Sequence, residues 1–132
     1  IGRFHRKLNR ISSSGTEWEK YWACLVAAEF GGQAKSLHSF LPDLLKHPNL
    51  MVQLRAVEAW ALISQMNPMP KLIEITNSSQ SRIEVLLTLN SVTFFRDHRR
   101  YGLDPSLFTI TAPKGEFSRR LEYFVDSKDA LK

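Results

Sequence analysis

Displacing the chain by 31 residues lays apolar positions over apolar positions, and few architectures produce such a recurrence. Leu41 falls on Leu72 and Leu44 on Ile75; Tyr21, Val52 and Ile83 coincide, as do Leu25, Ala56 and Leu87. Ala28 meets Ala59, Ile63 meets Phe94, and a looser fourth copy begins near Phe117. Two of the copies open on a short apolar segment, 41–45 and 71–75, followed by a longer one after Pro48 and after Ser79. A short helix turning back into a longer one is a unit that cannot bury its apolar face alone, so its copies stack.

The segment 50–66 shows what such stacking requires. Val52, Ala56, Ala59, Trp60 and Ile63 recur at i, i+4, i+7, i+8 and i+11, and Leu50, Leu54, Val57 and Ala61 form a second stripe. A helix apolar on two faces has neighbours on two sides. The only competing strand signal, Phe108-Thr109-Ile110-Thr111, alternates poorly. The sequence therefore predicts an all-α chain, an α-solenoid of about three to four helical hairpins.

Local punctuation agrees. Thr16-Glu17-Trp18-Glu19 and Ser81-Arg82-Ile83-Glu84 read as capping boxes, in which hydroxyl and carboxylate satisfy orphan amides reciprocally. Asp104-Pro105 sets an acceptor at N-cap and proline at N1, Gly31-Gly32 offers a left-handed stop, and Asn67-Pro68 ends the helix before it. Phe4, Leu8 and Ile11 define a short basic helix, and Ser12-Ser13-Ser14-Gly15 reads as a flexible joint. The expected organisation is a basic N-terminal helix and linker at 1–15, the repeat domain at 16–125, and a tail at 126–132.

Eighteen Lys and Arg oppose thirteen Asp and Glu, and the excess of +5 is concentrated. Residues 1–20 and 96–120 each carry +3, 21–95 balance, and the last twelve carry −1. Such patches suit nucleic acid, an anionic glycan or an acidic protein face. Ile1 at the first position leads us to expect a piece of a longer chain, and no run approaches the roughly 18 apolar residues of a membrane helix. A membrane partner is not expected.

Little in the chain points to chemistry. Cys24, the sole cysteine, sits between Trp22 and Leu25 with no anion-stabilising glycine loop nearby, and reads as a small buried hydrophobe. His5, His38, His47 and His98 show no ligand spacing, so no metal site is expected. Asp97 and His98 are adjacent, which on a helix turns them about 100° apart and forbids a dyad. Trp18, Tyr21 and Trp22 are expected in the core or capping the first hairpin, and Asn77-Ser78-Ser79 matches a glycosylation sequon. The densest polar run, 96–101, leaves Arg96, Arg99 and Arg100 as candidate anion-binding residues, with favourable charge at a helix C-terminus as the plainer reading.

The run from His47-Pro48-Asn49-Leu50-Met51-Val52-Gln53 to Trp60 resembles the second helix of a HEAT repeat: proline, then valine, then small residues at helical spacing, with Gln53 where that family usually has arginine. The order of segments 16–30, 44–63, 84–98 and 115–125 is similar to the helical extension that follows the catalytic domain of bacterial arylsulfatase-like enzymes. Leu86-Leu87-Thr88-Leu89-Asn90-Ser91-Val92 and Glu116-Phe117-Ser118-Arg119-Arg120-Leu121-Glu122-Tyr123 contribute most to that likeness. The resemblance implies a non-catalytic module of a sulfatase, periplasmic or secreted, packed on the catalytic domain of its own polypeptide near a sulfated glycan or other anionic ligand. Calcium and formylglycine would belong to that missing domain. Cys24-Leu25-Val26-Ala27-Ala28 lacks the Pro and Arg of the family's Cys/Ser-x-Pro-x-Arg motif, so no catalytic residue and no cofactor is assigned to this chain.

Two other classes stay open, a free-standing nucleic-acid binder and a protein-interaction scaffold. A solenoid tracking a phosphate backbone places cations at equivalent slots of successive units. Here Lys20, Met51 and Arg82 share a slot, as do Cys24, Arg55 and Leu86, and Lys35, Met66 and Asp97. No basic stripe results, which counts against nucleic acid.

Overall fold

A computed structural model describes residues 2–33, 39 and 41–109. The expected fourth copy near Phe117, the segment 115–125, and the tail at 126–132 lie outside the described residues, as do Lys35 and His38. The described chain is built from helices: α1 Gly2–Ser14, α2 Glu17–Phe30, α3 Leu41–Leu44, α4 Leu50–Ser64, α5 Met69–Ser78 and α6 Arg82–Arg99, then a 3-10 turn at Pro105–Leu107. No strand occurs among the described residues, and Phe108 and Thr109 are irregular. The all-α expectation holds. The chain divides into two compact units, Ile1–Asn67 and Pro68–Lys132.

In the first unit, α2 starts as the capping box predicts: the Glu19 N–H donates to Thr16 Oγ1 at 3.2 Å and the Thr16 N–H to Glu19 Oε1 at 3.1 Å. It stops at Gly31, whose φ of 51° is costly for any residue with a Cβ. The joint expected at 12–15 is shorter than its composition suggests. Ser13 and Ser14 remain helical, donating to the Asn9 and Arg10 carbonyls. The break falls at Gly15, whose N–H closes on the Ile11 carbonyl so tightly that a Cβ would clash with that oxygen.

Helix α4 is capped by Asn49, whose Oδ1 accepts from Met51 and Val52 N–H at 2.9 and 3.3 Å. It ends at Ser64, because Gln65 turns left-handed (φ 55°), so the stop precedes the Asn67-Pro68 signal. Ala23, Cys24 and Ala27 of α2 pack with Val52, Ala56, Ala59 and Ile63 of α4, together with Leu8, Leu41 and Leu44. Small side chains at facing positions let two helices approach closely. The second stripe of α4 is buried too, at Leu54, Val57 and Ala61.

In the second unit α5 buries Met69, Leu72, Ile73, Ile75 and Thr76, and α6 buries Val85, Thr88, Leu89, Val92 and Phe95. The predicted box at Ser81 forms, with the Glu84 N–H donating to Ser81 Oγ and the Ser81 N–H to Glu84 Oε1. Helix α6 closes with Arg100 left-handed (φ 57°) and the Tyr101 N–H donating back to the Phe95 carbonyl. Asp104 caps the 3-10 turn as expected. Asn77 holds the following segment by both ends of its amide, donating to the Leu107 carbonyl at 3.0 Å and accepting from the Thr109 N–H at 2.8 Å.

Burial follows the 31-residue displacement only in part, and the repeat is not established among the described residues. Leu41 and Leu72, Leu44 and Ile75, Leu54 and Val85, Val57 and Thr88, and Ala61 and Val92 are buried pairs at that displacement. Val52 and Ile63, each 1% exposed, correspond to Ile83 and Phe94, which are 59% and 40% exposed.

Candidate protein-interaction surface

Helix α1 is sharply two-sided. Leu8 is buried and Ile11 packs against the core of the first unit. Arg3, Arg6, Lys7 and Arg10, at i, i+3, i+4 and i+7, share another face and are all exposed. The helix carries no acidic residue, and none of these four cations makes an ion pair among the described residues. Along α2, Trp18, Trp22, Val26 and Phe30 form an exposed stripe at four-residue spacing, with Trp18 72% and Trp22 60% exposed. Between the two helices runs an apolar groove of about 360 Å³, floored by Leu8, Ile11 and Ala23, walled by the tryptophans and Val26, and edged by Lys7 and Glu19.

The aromatic triplet thus divides, contrary to the expectation of core or capping roles for all three. Tyr21 turns inward, where its hydroxyl accepts from Arg55 Nε at 2.9 Å across to α4, while Trp18 and Trp22 turn out. Arg55 also pairs with Glu58 at 2.7 Å. Burial works against the Arg55 charge, but Glu58 and the Tyr21 hydroxyl outweigh it and hold its pKa above the ordinary value. Sequence reasoning missed both the network and the groove; the one available signal was that the tryptophans stand four apart while Tyr21 lies off that line.

Cys24 is wholly buried, and burial, reinforced by Glu58, pushes its thiol up to about 12. A protonated, enclosed thiol is no nucleophile.

The three candidate arginines do not form one site. Arg96 is buried, with Nε donating to Asp97 Oδ1 at 2.7 Å, and that bond holds the Asp97 carboxyl below its ordinary value. Arg99 and Arg100 are exposed. His98 lies against Phe94 with ring centroids 5.4 Å apart, and His47 Nδ1 accepts from the Asn49 N–H. Among the described residues, no three His, Cys, Asp or Glu side chains gather as a metal site would need, and no helix is long and apolar enough to cross a membrane. The sequon is tied into the fold: the Asn77 amide is engaged at both ends, and Ser79 is buried with its hydroxyl on the Ile75 carbonyl.

No family model matches this chain, and no solved structure does. Over 86 residues it is 36% identical to the Integrator complex subunit 2 homolog of Dictyostelium discoideum. That stretch is 65% of this chain and 6% of the relative. The likeness to a eukaryotic complex subunit overturns the arylsulfatase resemblance. The sulfatase-module function, the hydrolase parent, the bacterial source and the periplasmic or secreted location fall with it. Helix order and small-residue spacing report close helix packing, which unrelated helical arrays share. Calcium, formylglycine and a catalytic-domain partner rested on that resemblance alone.

Proposed function

We propose that this chain is a protein-interaction scaffold, a helical segment of a subunit of a multiprotein complex. The similarity to the Integrator complex subunit 2 homolog carries this reading, since that relative is by name a component of an assembly. The exposed tryptophans beside a basic helix support it, because aromatic anchors near arginines are what protein interfaces concentrate energy on. The HEAT-like solenoid over 16–125 belongs to the same proposal; in its support, α3 with α4 and α5 with α6, within 41–99, each pair a shorter helix with a longer one. Arg99 and Arg100, exposed at the end of α6, are proposed as secondary contacts to acidic protein surface.

The test is purification of the tagged full chain from its own cells, with and without nuclease. A constant set of proteins recovered in fixed ratio, unaffected by nuclease, is the expected result. A chain that elutes alone, or whose partners leave on nuclease treatment, overturns the scaffold reading and favours the nucleic-acid binder.

A further inference from the structure

Resting on that reading, we propose that the α1–α2 groove receives one acidic amphipathic helix from another subunit. Three features select this occupant. The groove is apolar along its length, and Trp18 and Val26, at its ends, are eight residues apart on α2, about 12 Å and so about two turns of a docked helix. Anchors on the incoming helix at i, i+3 or i+4, and i+7 would meet Trp18, Trp22 and Val26 in turn. On the α1 side the groove is edged by Lys7, which shares an exposed helix face with Arg3, Arg6 and Arg10 and has no acid to answer it on that helix. Carboxylates on the α1-facing flank of the partner would complete the pairing.

A docked strand is disfavoured, because α1 and α2 spend their backbone groups within their own helices and offer no open sheet edge. An anionic lipid surface fits less well, because an extended anionic surface laid over the groove would meet Glu19 at the α2 edge and exposed Glu17 as well as Lys7, whereas a helix can turn its carboxylates toward α1 alone.

The experiment uses the full chain and four probes: a synthetic amphipathic helix with leucine anchors and glutamate flanks, the same peptide with lysine flanks, phosphatidylserine vesicles, and single-stranded RNA. Tryptophan emission reports binding. The acidic peptide is expected to bind saturably, at least about tenfold tighter than the basic one, and to weaken as salt rises from about 0.05 to about 0.3 M. Trp22→Ala should weaken it about tenfold with helix content by circular dichroism unchanged. Arg3→Glu, Lys7→Glu and Arg10→Glu together should invert the preference toward the basic peptide.

Equal binding of both peptides, indifference to Trp22→Ala, or binding only to vesicles or RNA overturns the proposal. Recovery of cellular partners separates the two levels. Partners retained by the Trp22→Ala and charge-inverted chains remove this groove but leave the scaffold reading. A wild-type chain with no protein partners removes the scaffold reading itself.

Discussion

Cys24 gives a quantitative test of how tightly α2 and α4 close. Burial and the nearby Glu58 raise its thiol from 9.0 to about 12. At neutral pH that difference lowers the thiolate fraction about 1,000-fold, and only the thiolate reacts with iodoacetamide. Reaction through opening competes with direct attack: for a stability of about 5 kcal/mol the open fraction is about 10⁻⁴, giving protection of similar size. Both routes climb about tenfold per pH unit toward about 12, because ionisation of the unfolded thiol itself pulls the opening equilibrium. Urea dependence separates them: attack through opening accelerates with urea below the unfolding midpoint and direct attack does not. We expect labelling at neutral pH about 10³- to 10⁴-fold slower than in the urea-unfolded chain, and accelerating with sub-denaturing urea. The same group links pH to stability. The folded state keeps its proton where the unfolded chain has lost it, so the contribution is complete below about pH 8.5. Above that it declines by up to about 1.4 kcal/mol per pH unit. Urea titrations at about pH 8 and 10.5 should show that loss in the wild type and not in Cys24→Ala. Labelling of the native protein as fast as the urea-unfolded control would refute the enclosed packing of α2 on α4.

Other perturbations read other parts of the structure. Thr16→Ala and Ser81→Ala each remove half of a capping box and should cost about 1 kcal/mol in urea unfolding, whereas Thr16→Ser should cost little. Leu54→Ala opens a cavity at a fully buried position and should cost about 2–5 kcal/mol, while Trp18→Ala should stay within about 0.5 kcal/mol. Arg96→Ala strips a buried stem and its bond to half-exposed Asp97, for a loss of about 1–2 kcal/mol; Arg99→Ala should be nearly silent. Arg100→Gly relieves a left-handed backbone and should raise the thermal midpoint, worth up to about 1 kcal/mol.

What the sequence made legible and what it hid differ in physical kind. A cap is decided by residues three apart, so Thr16 with Glu19 and Ser81 with Glu84 could be read directly and are found as expected. The stripes of α4 were equally readable, because a helix apolar on two faces has few options. Exposure on one particular face is different: it depends on what lies opposite, which spacing does not encode. Ile83 and Phe94 repeat Val52 and Ile63 at 31 residues yet stay open to solvent. Likewise 96–100 reads as one basic cluster, but one turn of helix sends Arg96 inward and leaves Arg99 and Arg100 outside. The family likeness failed for the complementary reason, since alanines at close-packing spacing are demanded by any tight helix pair and carry no chemistry. The remaining apolar residues are therefore the informative ones. Trp18 and Trp22 stay largely in water rather than taking the core or capping places expected of them, and they wall a groove edged by Lys7, one of four exposed cations that no acid on α1 answers. Large aromatics kept in water cost solubility and gain the fold little, and the proposed docked helix would supply the offsetting gain.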